Sequence, residues 1–326
     1  MRSFAIWCKK KDSSSRNDAW KDKVDKNPQI DVHVNIWNQI GNRDSQYCYI
    51  DFGIKVYDIS LIDEMFLYCP VKLSKDDVKD LGGVYANTPL VNSIFNENYS
   101  IVDSGRKRYP VSDKTGIKFV CYALGGHEYE VLPDSVDKDN ATIITFSTKS
   151  WQNESDKNLG NTYYVRFRIK INLAKEKFIK ELNTTDSALN DIFTKTEIID
   201  FRLNDVRSMS VERQELFGNC DKFDIKCVHC LIMRRASDRM LVDGKCDYGV
   251  RLLESEIWKD YVDNLSTEVF AYHFKKDVRE NIKKNSIDVF NVLVRVQSKK
   301  VISKWVYMLI IIVLGIASSL IASLII

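Results

Sequence analysis

Four of the eight cysteines, Cys220, Cys227, Cys230 and Cys246, fall close together, with His229 among them. Converging thiolate and imidazole ligands make a zinc site, and Cys227-Val-His-Cys230 has the C-x-x-C spacing such sites use. The flanks IKC and CLIMRR read as strand, with no Gly or Pro to turn the chain between the two cysteines. Residues three apart on a strand point to opposite faces, so this context fits buried, inert thiols rather than a metal centre. No cofactor or metal is expected, and the four cysteines stand as the alternative metal set.

His127 lies in a Gly125-Gly126-His127-Glu128 loop, where a turn beside a base and a carboxylate could hold a ligand. Gly-Gly is also ordinary hairpin punctuation. His33, His229 and His273 lie in strand patterns, whose default is a packed or sheet-face position, so His127 is the histidine most free to act. Ser104-Gly-Arg-Lys-Arg108 sets Arg106, Lys107 and Arg108 beside a glycine turn, and charge-assisted hydrogen bonds from these cations suit a phosphate or an acidic partner. Arg234 and Arg235, with Arg239 nearby, form a second cluster of the same kind. The ligand-binding candidates are therefore Arg106, Lys107, Arg108, His127, Arg234 and Arg235. No G-x-x-x-x-G-K, G-x-S-x-G, H-E-x-x-H or G-x-G-x-x-G motif occurs, and no catalytic residue emerges.

These residues must be positioned by a body that reads mainly as strand. Val32, Val34 and Ile36 alternate with His33, Asn35 and Trp37, and Tyr163 to Asn172 alternates through ten residues. Period-two alternation of this kind buries one face of a sheet. Met65 to Lys72 is a continuous apolar run carrying Pro70, which suggests an edge strand. Helices are expected at Ser74–Leu81, from Thr88-Pro89, at Leu173–Leu182, at Thr185–Phe193 and at Leu252–Val262. The last two strands, Phe270–Lys275 and Val289–Val296, suggest a hairpin around the polar stretch Asn281–Ser286. The fold class expected is mainly β or α+β, a β-sandwich-like body followed by one C-terminal transmembrane helix. The expected organisation is a polar arm over 1–28, a β-sandwich-like domain over 29–172, an α+β domain over 173–298, a basic linker over 299–304 and a transmembrane tail anchor over 305–326.

The chain of 326 residues is 44% hydrophobic and 29% charged, with a net charge of +3. Aromatic residues at 11% exclude general disorder. The charge is unevenly placed. Residues 275–304 carry nine basic and three acidic side chains, so they are +6 and residues 1–274 are −3. After Lys304 no charge follows through WVYMLIIIVLGIASSLIASLII. That run, as a helix, is about 33 Å long and crosses a hydrocarbon core of about 30 Å. Arg295, Lys299, Lys300 and Lys304 precede it, which places the body in the cytoplasm, at the bacterial inner membrane in the favoured setting, and attracts it to an anionic lipid surface. Gly315, Ser319 and Ser323 share one helix face and let two copies approach closely.

The function expected is that of a non-enzymatic, tail-anchored membrane protein. Its β-rich body would bind a protein partner or small-molecule signal, and its helix would self-associate. A bacterial stress or phage-defence membrane effector would have this layout. Nucleic acid is disfavoured, because the body has no basic surplus. One alternative is a tail-anchored enzyme with its site near His127 or the Cys220–Cys246 cluster. The other is a viral or surface protein with an extracytoplasmic body, which five Asn-x-Ser/Thr sequons at Asn98, Asn140, Asn153, Asn183 and Asn264 would suit.

Overall fold

A computed structural model describes residues 3–11, 27–38, 46–102, 107–138, 140–151, 158–176, 178–182, 194–242, 247–259, 261–262, 265, 268–279, 285–299 and 304–325. The first strands in chain order are β1 (Ala5–Lys10), β2 (Gln29–Asn38), β3 (Tyr47–Val56), β4 (Ile62–Cys69), β5 (Val78–Asp80) and β6 (Ser100–Ile101). They are followed by β7 (Arg108–Asp113), β8 (Gly116–Tyr122), β9 (Tyr129–Pro133), β10 (Thr142–Ser147), β11 (Tyr163–Asn172) and β12 (Ile179–Leu182). The last are β13 (Thr194–Leu203), β14 (Asp224–Arg235), β15 (Arg239–Val242), β16 (Tyr248–Leu252), β17 (Val269–Asp277) and β18 (Phe290–Lys299). Among the described residues there are four α-helices: α1 (Thr88–Phe95), α2 (Val211–Gly218), α3 (Ser255–Trp258) and α4 (Lys304–Ile325). The chain is mainly β with some helix.

The strands form three sheets. The largest has ten strands in the order β16-β17-β14-β2-β3-β11-β8-β7-β6, with β5 also paired to β11. It draws strands from both sides of residue 173. The two four-stranded sheets run β1-β4-β10-β9 and β12-β13-β18-β15. Alternation decides what each face does. In β2, Ile30, Val32, Val34 and Ile36 point into one apolar core, together with Ile50, Phe52 and Ile54 of β3. That core is closed by Met65 and Leu67 of β4, Phe146 of β10, Phe201 of β13 and Val294 of β18. Burying each such side chain contributes about 1.5–3 kcal/mol, so the apolar face fixes the layers and leaves the opposite face of the large sheet for polar groups.

Several local expectations change. Met65 to Cys69 belongs to β4, which lies between β1 and β10 and is not an edge. Pro70 falls just past the strand, where its missing N–H costs no ladder bond. Ser74 does begin a turn, with a capping box to Asp77, but only Lys75–Asp77 is helical. The chain then pairs as β5 with β11, because tertiary pairing outweighs a short helix preference. Leu173–Leu182 is a turn followed by β12, not a helix; Thr185–Phe193 lies outside the described residues. The helix expected over Leu252–Val262 is only the four residues of α3. Residues 5–10 of the expected arm form β1 against β4. The final strands are not a hairpin: β17 pairs with β14 and β16, whereas β18 pairs with β13 and β15 in another sheet. The helix from Thr88-Pro89 forms as α1, with Asn87 capping it through a hydrogen bond from the Leu90 N–H.

The α4 helix has 22 residues. Its described side chains, at Met308, Leu309 and 311–323, are all exposed. Among the described residues no helix is long and apolar enough to cross a membrane.

Candidate functional site

The polar face of the large sheet carries a row that sequence spacing cannot reveal. Register sets Arg166 of β11 beside Gly53 of β3, Gly53 beside His33 of β2, His33 beside His229 of β14, and His229 beside Lys275 of β17. Five strands thus contribute one residue each to a single line across the sheet. Gly53 is required there: a Cβ at that position would overlap the Tyr164 ring and its hydroxyl. Without it, Tyr164 reaches across to His33, its Oη 3.4 Å from Nδ1, and also accepts from Arg166 Nη1 at 2.8 Å. The His33 and His229 rings lie 4.9 Å apart, and His229 Nδ1 lies 2.9 Å from His273 Nε2. One ring must donate to the other, so at least one of that pair is neutral.

Above this row is a cavity of about 550 Å³. Its floor is Asp31, His33 and Asn35 of β2 with His229 and Arg166, and β17 adds His273 and Lys275. One wall is the end of α1 and the residues after it, including Phe95 and Tyr99. Asn96 ends that helix in the left-handed region (φ 55°), and the Asn92 side chain accepts from the Tyr99 N–H at 2.9 Å, which holds the wall in place. Trp258 of α3 closes another side, packed against Trp37 and Tyr261. Its indole N–H is buried and finds no acceptor among the described residues.

The charges are arranged unequally. Arg166 is 1% exposed. It donates to the hydroxyls of Tyr261 (2.6 Å) and Tyr164 and, with the Asn35 amide turned so that its oxygen faces the guanidinium, to that oxygen at 2.5 Å, all neutral acceptors. The nearby carboxylate, Asp51, is taken by Arg168 at 2.7 and 3.1 Å and by Trp37 and Tyr261, each at 2.7 Å. Burial pushes Asp51 up, but the Arg168 guanidinium outweighs it and holds the carboxyl below its ordinary range. Asp31 shows the opposite balance. Burial raises it although Tyr57 donates at 2.7 Å and Arg279 lies 3.4 Å away. All three histidines are lowered, first by burial and then by neighbouring positive groups: His33 by His229, Arg166 and Lys55, His229 to about 4 by His273 and Lys275, and His273 by Arg251 and Lys275. At neutral pH the three imidazoles are therefore uncharged, in a positive surrounding. Cys227 lies 3.1 Å from His229 Nε2, but burial, with Asp277 and Asp31 beside it, pushes its thiol up to about 12. A thiol held so far above neutral pH is a poor nucleophile.

The residues singled out by spacing are placed elsewhere. Arg106 and Cys246 lie outside the described residues. Lys107 pairs with Glu128 at 3.5 Å. Arg108 is buried and donates to the Trp151 and Ser150 carbonyls at 3.0 and 2.6 Å. His127 is exposed on its turn, and Glu128 folds inward to Tyr122, Ser150 and the Gly125 N–H. Arg234 pairs with Glu197 and Asp238 at 3.1 and 3.0 Å, and Arg235 is buried beside it. Cys227 faces the cavity side of β14 and Cys230 the apolar core, while Cys220 is half-buried after α2. Among the described residues no group of His, Cys, Asp or Glu is arranged to hold a metal ion. Arg295 and Lys299 are exposed on β18, Lys300 lies outside the described residues, and Lys304 starts α4. Gly315, Ser319 and Ser323 are exposed on α4.

No family model matches the chain, and no curated protein matches it. Among solved structures it aligns with the mu homology domain of Fcho1 from Danio rerio with a bound Eps15 peptide, at 8% identity, covering 86% of this chain and 82% of that one. The TM-score is 0.15, too low to carry any argument.

Proposed function

We propose that this protein is a non-enzymatic membrane-held binding module. Its sandwich-like body takes a small ligand in the cavity over the histidine row, and its terminal helix anchors the body and self-associates. The observation that supports this most is the cavity itself. It is a concave space of small-ligand size on which many polar and charged side chains converge beside the aromatic Phe95, Tyr99 and Trp258, and concave sites with convergent polar groups are where ligands bind. The anchor rests on the uncharged run from Trp305 to Ile326 and on the basic flank Arg295, Lys299, Lys300 and Lys304, which orient the body to the cytoplasm and an anionic lipid surface. Cavity and helix are neighbours in the chain: β17 lines the cavity, and β18, the next strand, precedes α4.

Two experiments test this reading. Alkaline extraction of membranes carrying the full chain should leave it in the pellet, and protease added to intact vesicles or cells should cut the body only from the cytoplasmic side. Release into the supernatant, or cleavage from the outside, overturns the anchor or its orientation. Ser93→Trp at the cavity rim should lower the affinity of whatever small molecule stabilises the body; stabilisation that survives the variant places the ligand elsewhere.

A further inference from the structure

We propose that the cavity binds a small phosphate monoester seated on the row Arg166, His33, His229 and Lys275. This deepens the small-ligand reading and rests on it. Five cations line the cavity, Lys55, Arg166, Arg251, Lys275 and Arg279, against the carboxylates Asp31 and Glu97. Lys275 and Arg279 are held by Asp277 at 3.2 and 2.6 Å, and Arg279 also meets Asp31. Lys55, Arg166 and Arg251 have no carboxylate partner among the described residues. Lys55 lies over the Phe119 ring at 4.4 Å, and Arg251 donates to the Ser93 carbonyl at 3.1 Å. Glu97 is exposed at the rim.

Three cations that form no salt bridge among the described residues, with Asp31 acting on Lys55 and Asp51 on Arg166 only from a distance, surround a half-enclosed space and favour a ligand of more than one negative charge. A phosphate monoester carries about −1.5 to −2 at neutral pH and three acceptor oxygens. Its oxygens match the donors present: the Lys55 ammonium, the His33 Nε2–H that remains when Nδ1 accepts from Tyr164, and the Trp258 N–H that finds no acceptor among the described residues. A monocarboxylate would leave most of the positive field unanswered. Phe95 and Tyr99 give the rest of the ligand an apolar surface. The phosphate has two sources, a soluble nucleotide or a lipid headgroup at the membrane that α4 would enter.

The test uses the full chain in detergent and follows binding calorimetrically with inorganic phosphate, with AMP and with adenosine. In parallel, flotation with phosphatidylcholine vesicles is compared with and without phosphatidylinositol 4-phosphate. At least one phosphate probe should bind and adenosine should not; AMP points to the soluble source and the phosphoinositide vesicles to the lipid one. Lys55→Met should weaken that binding about tenfold or more, as expected for a lost charge-assisted contact. Arg251→Ala, at the sheet edge, should weaken it less, and Lys107→Ala, outside the cavity, should leave it unchanged. If no phosphate probe binds while adenosine does, with loss of binding in Ser93→Trp, the phosphate proposal is overturned and the small-ligand reading survives. If none of the probes binds, both fail. Phosphate binding unaffected by both Lys55→Met and Arg251→Ala also overturns the proposal.

Discussion

Among the described residues the two most deeply buried arginines are Arg166 at 1% exposure and Arg234 at 0%, and their surroundings differ in one respect. Arg234 is answered by two carboxylates, Glu197 and Asp238, and by the Asn38 carbonyl at 3.5 Å. Arg166 is answered only by neutral oxygens, since the nearby Asp51 is committed to Arg168. A guanidinium neutralised in place fixes the packing of its region. A guanidinium that is hydrogen-bonded but not neutralised keeps a positive field, and here that field opens into a cavity. Burial alone thus does not separate a structural arginine from a binding one; the charge of its partners does.

The largest effect should come from Arg234. Arg234→Met leaves Asp238 buried without its guanidinium and takes one of several partners from Glu197, which keeps Lys195 at 3.0 Å and Asn38 at 3.3 Å; breaking a buried pair in this way costs about 3–5 kcal/mol in urea unfolding. A loss below about 1 kcal/mol would remove the distinction between the two sites. Arg166→Met leaves only neutral groups behind and should cost about 1–3 kcal/mol, while phosphate binding weakens about tenfold or more. If it destabilises as much as Arg234→Met and leaves binding intact, Arg166 is structural as well.

Acid should reach the cavity before it reaches Asp51. His229 is lowered to about 4 by burial and neighbouring positive groups, whereas an unfolded histidine titrates near about 6.5. Between these values the unfolded chain binds the extra proton, so stability is lost as pH falls from about 6.5 toward 4. Asp31, raised by burial, opposes part of this fall. Asp51, held below its ordinary range, contributes stability that is lost only at still lower pH. Urea unfolding at a series of pH values should show the histidine slope, and His229→Gln should reduce it; an unchanged slope would mean that His229 is not a buried neutral group. The smallest effect on the body should come from replacing Gly315, Ser319 and Ser323 together with Leu. A Cβ at Gly315 meets nothing within 4 Å, so unfolding of the body should shift by less than about 0.5 kcal/mol. Cross-linked oligomers should nonetheless disappear, and unchanged cross-linking would remove the self-association stripe.

How much of this was legible in the sequence depends on the kind of signal. Alternation in β2 and β11 separates Val32 and Val34 from His33 and Asn35 without any structure, because period two is local. Register is not local. That His33 of β2 would lie beside His229 of β14, nearly two hundred residues away, follows from a parallel pairing that composition does not encode. Spacing instead drew attention to His127 and to Arg106, Lys107 and Arg108, where glycines and charges are close in the chain; of these, Lys107 and Arg108 serve local ion pairing and packing. The usable clue to the site was weaker: three histidines, each on the polar face of a strand, with Gly53 as a strand glycine whose missing side chain admits Tyr164. The terminal run was legible as a helix, because an uncharged stretch of that length is a property of composition, and α4 forms over it.

The most direct test of the central claim compares the histidine row with the loop histidine. Side-chain NMR of the histidines in the full chain, titrated with the phosphate ligand, should shift the His33 and His229 resonances and leave the exposed His127 unmoved. A shift confined to His127, or no histidine shift at saturating ligand, would contradict it.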